Sequence, residues 1–308
     1  MKLADTAARY VAHKQAMGMR FRTEARILKS FCQVMGDVSM PAVSASAVAS
    51  FLAGTGPVTR FWERKHSVLQ GFYKFAIARG YAKHSLLPNR VPKPSQAFVP
   101  YIYSREELRR LLDAIPSIDH PRSTIDPGTY RTLLLLLYGA GLRISEALAL
   151  SRADIDLAGG ILLIRESKFY KTRQVAIGAD LRGILAQYLA QKRGVADLPA
   201  FISRRGEAIT RQNAENMFCR LRLRAGIRRD GGYPRHQPRL HDLRASFAVH
   251  RLIAWYRAGS DVQRLLPLLS TYLGHIHIAG TQRYLALTPD LLREASIRFE
   301  RYAEEAQP

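Results

Sequence analysis

Four prolines, at 88, 92, 94 and 100, fall within one short stretch, "LLPNRVPKPSQAFVP". Proline has no amide hydrogen to give a helix or a sheet, and it drives the residue before it out of the helical region. No regular element can run through such a stretch, so it reads as an extended linker over 88–102. It divides the 308 residues into pieces of 1–87 and 103–308, sizes at which separate cores are the rule. With 47% of its residues apolar, the chain has the material for both cores and need not be disordered.

Both pieces are patterned mainly as helices. In the first, helices are expected over Ala4 to Met17, Arg22 to Met35 and Ser44 to Leu52, the last with Ser44 as its N-cap. A fourth lies in "TRFWERKHSVLQGFYKFAIARGY", where Trp62, Leu69, Phe72 and Phe75 or Ala76 recur near helical spacing. Arg64, Lys65 and Lys74 fall between them, which is the pattern of a core helix with a basic outer face. In the second piece Ser104 and Glu107 form a capping-box pattern ahead of a helix through Ile115. Further helices are expected in "YRTLLLLLYGAG" and from Ile144 to Leu150. The period then changes: Ile161 to Ile164 and Gln174 to Ile177 favour strands and flank a polar turn holding Lys168 and Lys171, which predicts a hairpin. Helices return from Leu181 to the end. The expected fold class is mainly α with a small β-sheet or hairpin, a helical domain followed by a mixed α+β domain.

Charge narrows the partner. Lys and Arg number 47 against 25 Asp and Glu, a net charge of +22. Residues 1–100 hold 15 basic and 4 acidic side chains and the remainder 32 and 21, so each part carries +11 and both are expected to touch one polyanion. Nucleic acid is the first expectation, because Lys and Arg neutralise its phosphates regardless of sequence. A membrane fits less well: the longest apolar run, Thr132 to Leu142, is about half the ~20 residues a spanning helix needs. The N-terminus also lacks the apolar core of a secretory signal. Cys32 and Cys219 stand far apart and in no metal-ligand spacing, so neither a disulfide scaffold nor a zinc module is expected. The expected setting is the cytoplasm, on the nucleoid, with no metal and no cofactor.

A few residues could carry chemistry. "HDLRASF" sets His241 and Arg244 three apart, one helical face on which a proton-transferring imidazole and a planar, phosphate-matching guanidinium could reach one phosphate. "HQPR" repeats that spacing at His236 and Arg239, but Pro234 and Pro238 make the earlier copy a loop, so the later one is preferred. "GAGLRISEALAL" seats Arg143 at a glycine-rich turn between two helices, with Glu146 three residues on, able to orient it or simply to suit the helix dipole. "LGHIHIAGTQRYL" brings His275 and, nine residues later, Tyr284, with small residues between that would allow a mobile turn. His277 in the same stretch is left without a role and reads as a packed or surface histidine. Taken singly, Tyr284 is more often a packed aromatic, and each arginine is one among 47 cations.

Their order is more informative. "GLRISEAL", a lysine-bearing hairpin, "HDLRASF", "LGH" and a tyrosine nine residues beyond that histidine resemble the tyrosine recombinase, or phage integrase, family. The resemblance covers Ser104 to about Tyr302, and the helical first piece is similar to that family's core-binding domain. It implies that Arg143 and Arg244 clamp a scissile phosphate and that Tyr284 attacks it to form a 3'-phosphotyrosyl link. His241 would assist proton movement at the tyrosine, His275 would hydrogen-bond a non-bridging oxygen, and Glu146 would support the site. A tyrosine keeps its proton to about pH 10, so attack needs a base and a neutralised phosphate, which two guanidiniums and an imidazole supply without metal. The 5'-oxygen leaving group needs an acid, for which Lys168 is preferred, with Lys171 as a phosphate contact; the family's usual glycine beside that lysine is absent from "ESKFYKTRQ".

The resemblance also implies partners. These are double-stranded DNA with specific recombination sites, and other copies of the chain in a tetramer on paired sites, with companion recombinases as a further possibility. The joint would be the terminal helix, whose Leu292, Ala295 or Ser296, Phe299 and Tyr302 share one face and could equally pack on their own domain. The segments "SIDHPRSTIDPGT" and "GSDVQRLLPLLSTYLGH" look more like recombinases of transposons and other mobile elements than the chromosome-dimer resolving type. Two rivals are a type IB topoisomerase and a non-catalytic DNA-binding regulator with the same fold.

Overall fold

A computed structural model of the chain describes residues 1–55, 58–92, 99–165, 172–192, 198–230, 236–286 and 289–305. The chain divides into two compact units, Met1–Ala97 and Phe98–Pro308. The second half of the expected linker, from 93 to 98, lies outside the described residues.

The first unit holds four α-helices: α1 Leu3–Ala16, α2 Arg22–Met35, α3 Ala45–Ala53 and α4 Arg60–Ala78. Ser44 caps α3 as expected, its Oγ accepting from the amide of Ala47 at 3.2 Å. Leu28, Phe31, Leu52, Leu69, Phe72 and Ala76 are buried together. Where α1 crosses α4, a β-carbon at Gly71 would lie 2.4 Å from the Tyr10 hydroxyl, so the close approach needs glycine there. One expectation is corrected. Lys65 is not on a basic outer face but buried, its ammonium donating to the Phe51 carbonyl and lying 4.9 Å from the centre of the Phe51 ring. That carbonyl and the ring offset much of the cost of taking the charge out of water.

The second unit opens with α5, Arg105–Asp113. Its capping box is complete, with Glu107 N–H donating to Ser104 Oγ at 3.1 Å and Ser104 N–H to Glu107 Oε2 at 2.8 Å. The helix stops short of the expected Ile115 because Pro116 cannot continue it, and a 3-10 turn follows over Ile115–Ile118. Then come α6 Pro127–Gly139 and α7 Ile144–Ala149. The expected strands are β2 Ile161–Ile164 and β3 Arg173–Ala176, antiparallel with Ile164 opposite Arg173, and a two-residue β1, Ile155–Asp156, pairs with the other edge of β2. Helices α8 Ala179–Gln191, α9 Arg211–Arg224, α10 Asp242–Arg257, α11 Val262–Leu273, α12 Ala279–Gln282 and α13 Pro289–Glu305 complete the unit. No helix among the described residues is long and apolar enough to cross a membrane.

Two apolar clusters form the inside of this unit. One gathers around α6 through Leu133, Leu136 and Leu137 and includes Leu243 of α10. The other contains Phe247, Ala248 and Leu252 of α10 with Leu269 and Leu273 of α11, Tyr284 and Leu291. Helix α10 is therefore rooted in both, with Arg244 between its two anchorages. Its start is tied to the strand of chain entering the unit: Tyr103 N–H donates to Ser246 Oγ at 2.8 Å, and the Tyr103 hydroxyl to the Arg239 carbonyl at 3.0 Å.

Candidate active site

The site begins at the turn between α6 and α7. Gly141 has φ +57°, and a β-carbon there would lie 2.4 Å from the Phe247 ring, so only glycine lets α10 come this near. Its carbonyl accepts from Arg244 Nη1 at 2.8 Å. Two residues on, Arg143 enters α7, and Glu146 in the first turn takes its backbone N–H at 3.0 Å and its Nη1 at 2.6 Å. The expected orienting contact is thus present as a hydrogen-bonded ion pair.

Glu146 binds a second arginine more fully. Arg173 of β3 donates Nη1 to Oε1 at 3.1 Å and Nη2 to Oε2 at 2.9 Å, a fork on the carboxylate. Arg244 Nη1 stands 3.8 Å from the same carboxylate. Three guanidiniums thus surround one buried acid. Burial alone would raise the Glu146 carboxyl, but the hydrogen bond from Arg173, the Arg143 amide and both charges outweigh it and hold it at about 2. Arg244 is itself lowered to about 10, by burial first and then by Arg143. Three cations and one anion leave this cluster with an excess positive charge, suited to a phosphate.

Helix α11 ends against these arginines. Gly274, with φ +66°, closes the helix, and His275 follows. His275 Nδ1 lies 2.7 Å from the buried Thr281 Oγ1; if that hydroxyl donates, the opposite ring nitrogen carries the proton and faces outward as a donor. The stretch after His275 is not an open turn but helical, α12 running into a 3-10 turn over Arg283–Ala286. Tyr284 sits in that turn, 6% exposed, with its ring centre 6.1 Å from that of His275 and close enough to act electrostatically on Arg244.

The structure brings Arg143, Glu146, Arg244, His275 and Tyr284 into one neighbourhood from four separate stretches of chain. His241 stands at its edge, exposed, and serves as the residue ahead of α10 instead of sharing a helical face with Arg244. The alternative pair resolves plainly: Arg239 is held by Asp242, Nη2 to Oδ1 at 2.9 Å. His277 is exposed. Lys168 and Lys171 lie outside the described residues. Two residues of the site were not anticipated, Arg173 and Thr281. Arg173 had the signal of a basic residue opening a strand next to the lysine-bearing turn; Thr281 had none beyond its place between His275 and Tyr284. In the terminal helix the expected face is corrected at one position: Leu291 is buried and Leu292 exposed, because α13 packs on α10, with Arg257 Nε donating to Glu294 Oε1 at 2.7 Å.

The charges of the site predict an acid limb of stability. Burial and the Arg244 charge lower His275 to about 4, so it is neutral in the fold, and stability falls as the pH drops below 6.5. His241 moves the same way, through desolvation and the charge of Arg244, although its exposure lets water screen part of the effect. Glu146 is depressed instead, so its contribution is whole above about pH 4.5 and is lost as the pH falls through about 2. Urea titrations across this range are expected to show both stages, and Glu146→Gln to flatten the lower one. An unchanged lower stage in that variant would rule the carboxylate out as its source.

Known proteins share this sequence and architecture. The family model described as "Phage integrase family" matches residues 103–290. The chain is 34% identical over 308 residues to y4rB of Sinorhizobium fredii, named as an integrase/recombinase, with 96% of each chain covered. It is 33% identical over 233 residues to the tyrosine recombinase XerD of Corynebacterium glutamicum, covering 74% of this chain and 70% of that one. Among solved structures, the integrase of transposon Tn1549 in complex with transposon right end DNA superposes with a TM-score of 0.70 at 15% identity, over 98% of this chain and 100% of that one. A lambda integrase dimer bound to a COC' core site gives 0.66 at 20% identity, over 90% and 96%. At these identities the structural likeness is one of fold.

Proposed function

The chain belongs to the phage integrase family, and on that footing we propose that Tyr284 is the nucleophile with which it cuts and rejoins DNA at specific sites. The enzyme is a tyrosine-type recombinase. The observation that carries the assignment of residues is the convergence of Arg143 and Arg244 on one carboxylate beside His275 and Tyr284. The Tyr284 oxygen attacks the scissile phosphorus, the bond to the 5'-oxygen breaks, and a 3'-phosphotyrosyl ester conserves the energy of the lost phosphodiester. Arg143 and Arg244 stabilise the charge that grows on the equatorial oxygens, and neutral His275 donates to one of them. His241 takes part in moving the tyrosine proton, and a hairpin lysine, Lys168 in preference to Lys171, protonates the departing 5'-oxygen. Attack by a 5'-hydroxyl from a second duplex reverses these steps and completes exchange without a nucleotide cofactor.

A nicked suicide duplex tests this reading. With the 5'-end lost, the forward step is trapped, and a detergent-stable protein–DNA adduct is expected. Salt-sensitive binding with no adduct would leave only a DNA-binding regulator. On a two-site plasmid, recombined products distinguish strand exchange from the simple relaxation of a topoisomerase.

Binding itself is expected to follow charge. With +22 on the chain, duplex affinity is predicted to fall roughly a thousandfold or more between about 50 and 200 mM salt, as each phosphate contact releases counterions. Fluorescence anisotropy over that range measures the slope, and a flat line would remove the polyanion from the reading. Assembly to a tetramer on paired sites through α13 belongs to the same proposal, supported by Leu292 and Ile297, which that helix leaves 53% and 37% exposed. Movement of a mobile element is the use proposed for the reaction.

A further inference from the structure

Three consecutive carbonyls at the end of α11 are each taken by a different arginine. Arg173 Nε donates to Tyr272 O at 2.9 Å, Arg244 Nη2 to Leu273 O, and Arg143 Nη2 to Gly274 O at 3.0 Å. A helix end leaves its last carbonyls without amide partners and carries partial negative charge, so three cations there form a strong cap. Two of the three belong to the proposed phosphate clamp. The third does not, and its donors are already engaged: both Nη atoms lie on Glu146 and Nε on α11. It also lies flat on the turn before His275, where a β-carbon on Gly274 would come within 2.9 Å of its Cζ.

We propose that Arg173 is a positioning residue for DNA cleavage: it ties Glu146 to the end of α11, and so fixes Arg143 and His275 relative to each other before a phosphate arrives. The inference rests on the assignment of the site given above. Its second consequence is electrostatic. Glu146 carries one negative charge and contacts Arg143, so alone it would cancel half of a two-arginine clamp. Arg173 supplies the matching positive charge from the far side, and the charges of Arg143 and Arg244 remain available to the phosphate. The roles need a planar fork with a third donor at Nε, which lysine lacks.

The test compares Arg173→Gln, Arg173→Lys and Tyr284→Phe on nicked duplexes tiled across the DNA flanking the gene. Each chain is read for duplex affinity, melting temperature and the single-turnover rate of adduct formation. Arg173→Gln is expected to keep duplex affinity within about threefold while the adduct rate falls about 100-fold, and Arg173→Lys to regain roughly tenfold of that loss. A rate within about threefold of the unmodified chain overturns the inference. So does a loss of rate matched by equal losses of affinity and melting temperature, with lysine no better than glutamine, since that pattern is damage to the fold. If Arg173→Gln does not fold, Arg173→Lys decides: roughly tenfold slower cleavage at unchanged affinity supports positioning, and full rate overturns it. Tyr284→Phe separates the two levels. An adduct persisting in that variant sinks the site assignment itself, whereas its loss there together with full rate in Arg173→Gln sinks only the role of Arg173.

Discussion

Tyr284→Phe abolishes the covalent DNA adduct, by a factor of about 10,000 or more in rate, and leaves duplex affinity within about twofold. The separation is expected because the two atoms concerned do different things. The ring is buried in the apolar cluster of α10 and α11, and phenylalanine keeps it. The hydroxyl adds the only oxygen that can be esterified at that place. Adduct formation on the nicked duplex and anisotropy on the intact one measure the two quantities separately. An adduct of normal yield in the variant would move the nucleophile elsewhere, and a collapse of affinity would mean that the ring had been supporting the DNA surface. The burial of Tyr284, at 6% exposure, adds a condition: the 283–286 turn must shift before the oxygen meets a phosphorus. Chemistry that starts from this closed arrangement should therefore be slower than binding.

Arg244→Lys is expected to be nearly as severe in rate, about 100 to 1,000-fold, while keeping the formal charge. Arg244 is 2% exposed and bonds Gly141 O and Leu273 O at once, so it joins the α6–α7 turn to the end of α11. Lysine has one donor centre and cannot span both carbonyls while facing a phosphate. Arg244→Ala should also lower stability by roughly 3 kcal/mol, because it empties a buried site and leaves two carbonyls unpaired. Single-turnover cleavage and thermal melting follow the two effects, and a lysine variant cleaving at full rate would show that charge alone suffices.

Much of this was readable from local pattern. The capping box at Ser104, the glycine-rich turn before Arg143 and the strand pair around the lysines each have a signal spanning a few residues, and each is where it was expected. What escaped depends on contacts between distant segments. Arg173 meets Glu146 across 27 residues and Tyr272 across 99, and nothing in "TRQVAI" distinguishes it from the other cations. Lys65 has the periodicity of an outer-face residue, and only the folded position of Phe51 shows where its ammonium can go. The choice of Leu291 over Leu292 was set by the approach of α13 to α10, which helical spacing alone does not specify. His241 shows the same limit at one residue's scale: the helix begins immediately after it, so the three-residue spacing to Arg244 is not a shared face.

Helix α10 reaches into both apolar clusters of the second unit, and this has a consequence for cooperativity. Neither cluster can melt alone without withdrawing an anchorage from the segment that carries Arg244. Local opening near the clamp is thereby coupled to loss of the whole unit, so partly unfolded forms that keep one cluster should be scarcely populated. Such coupling protects the cell as well as the protein: an enzyme able to break chromosomes is present either with its machinery intact or not at all.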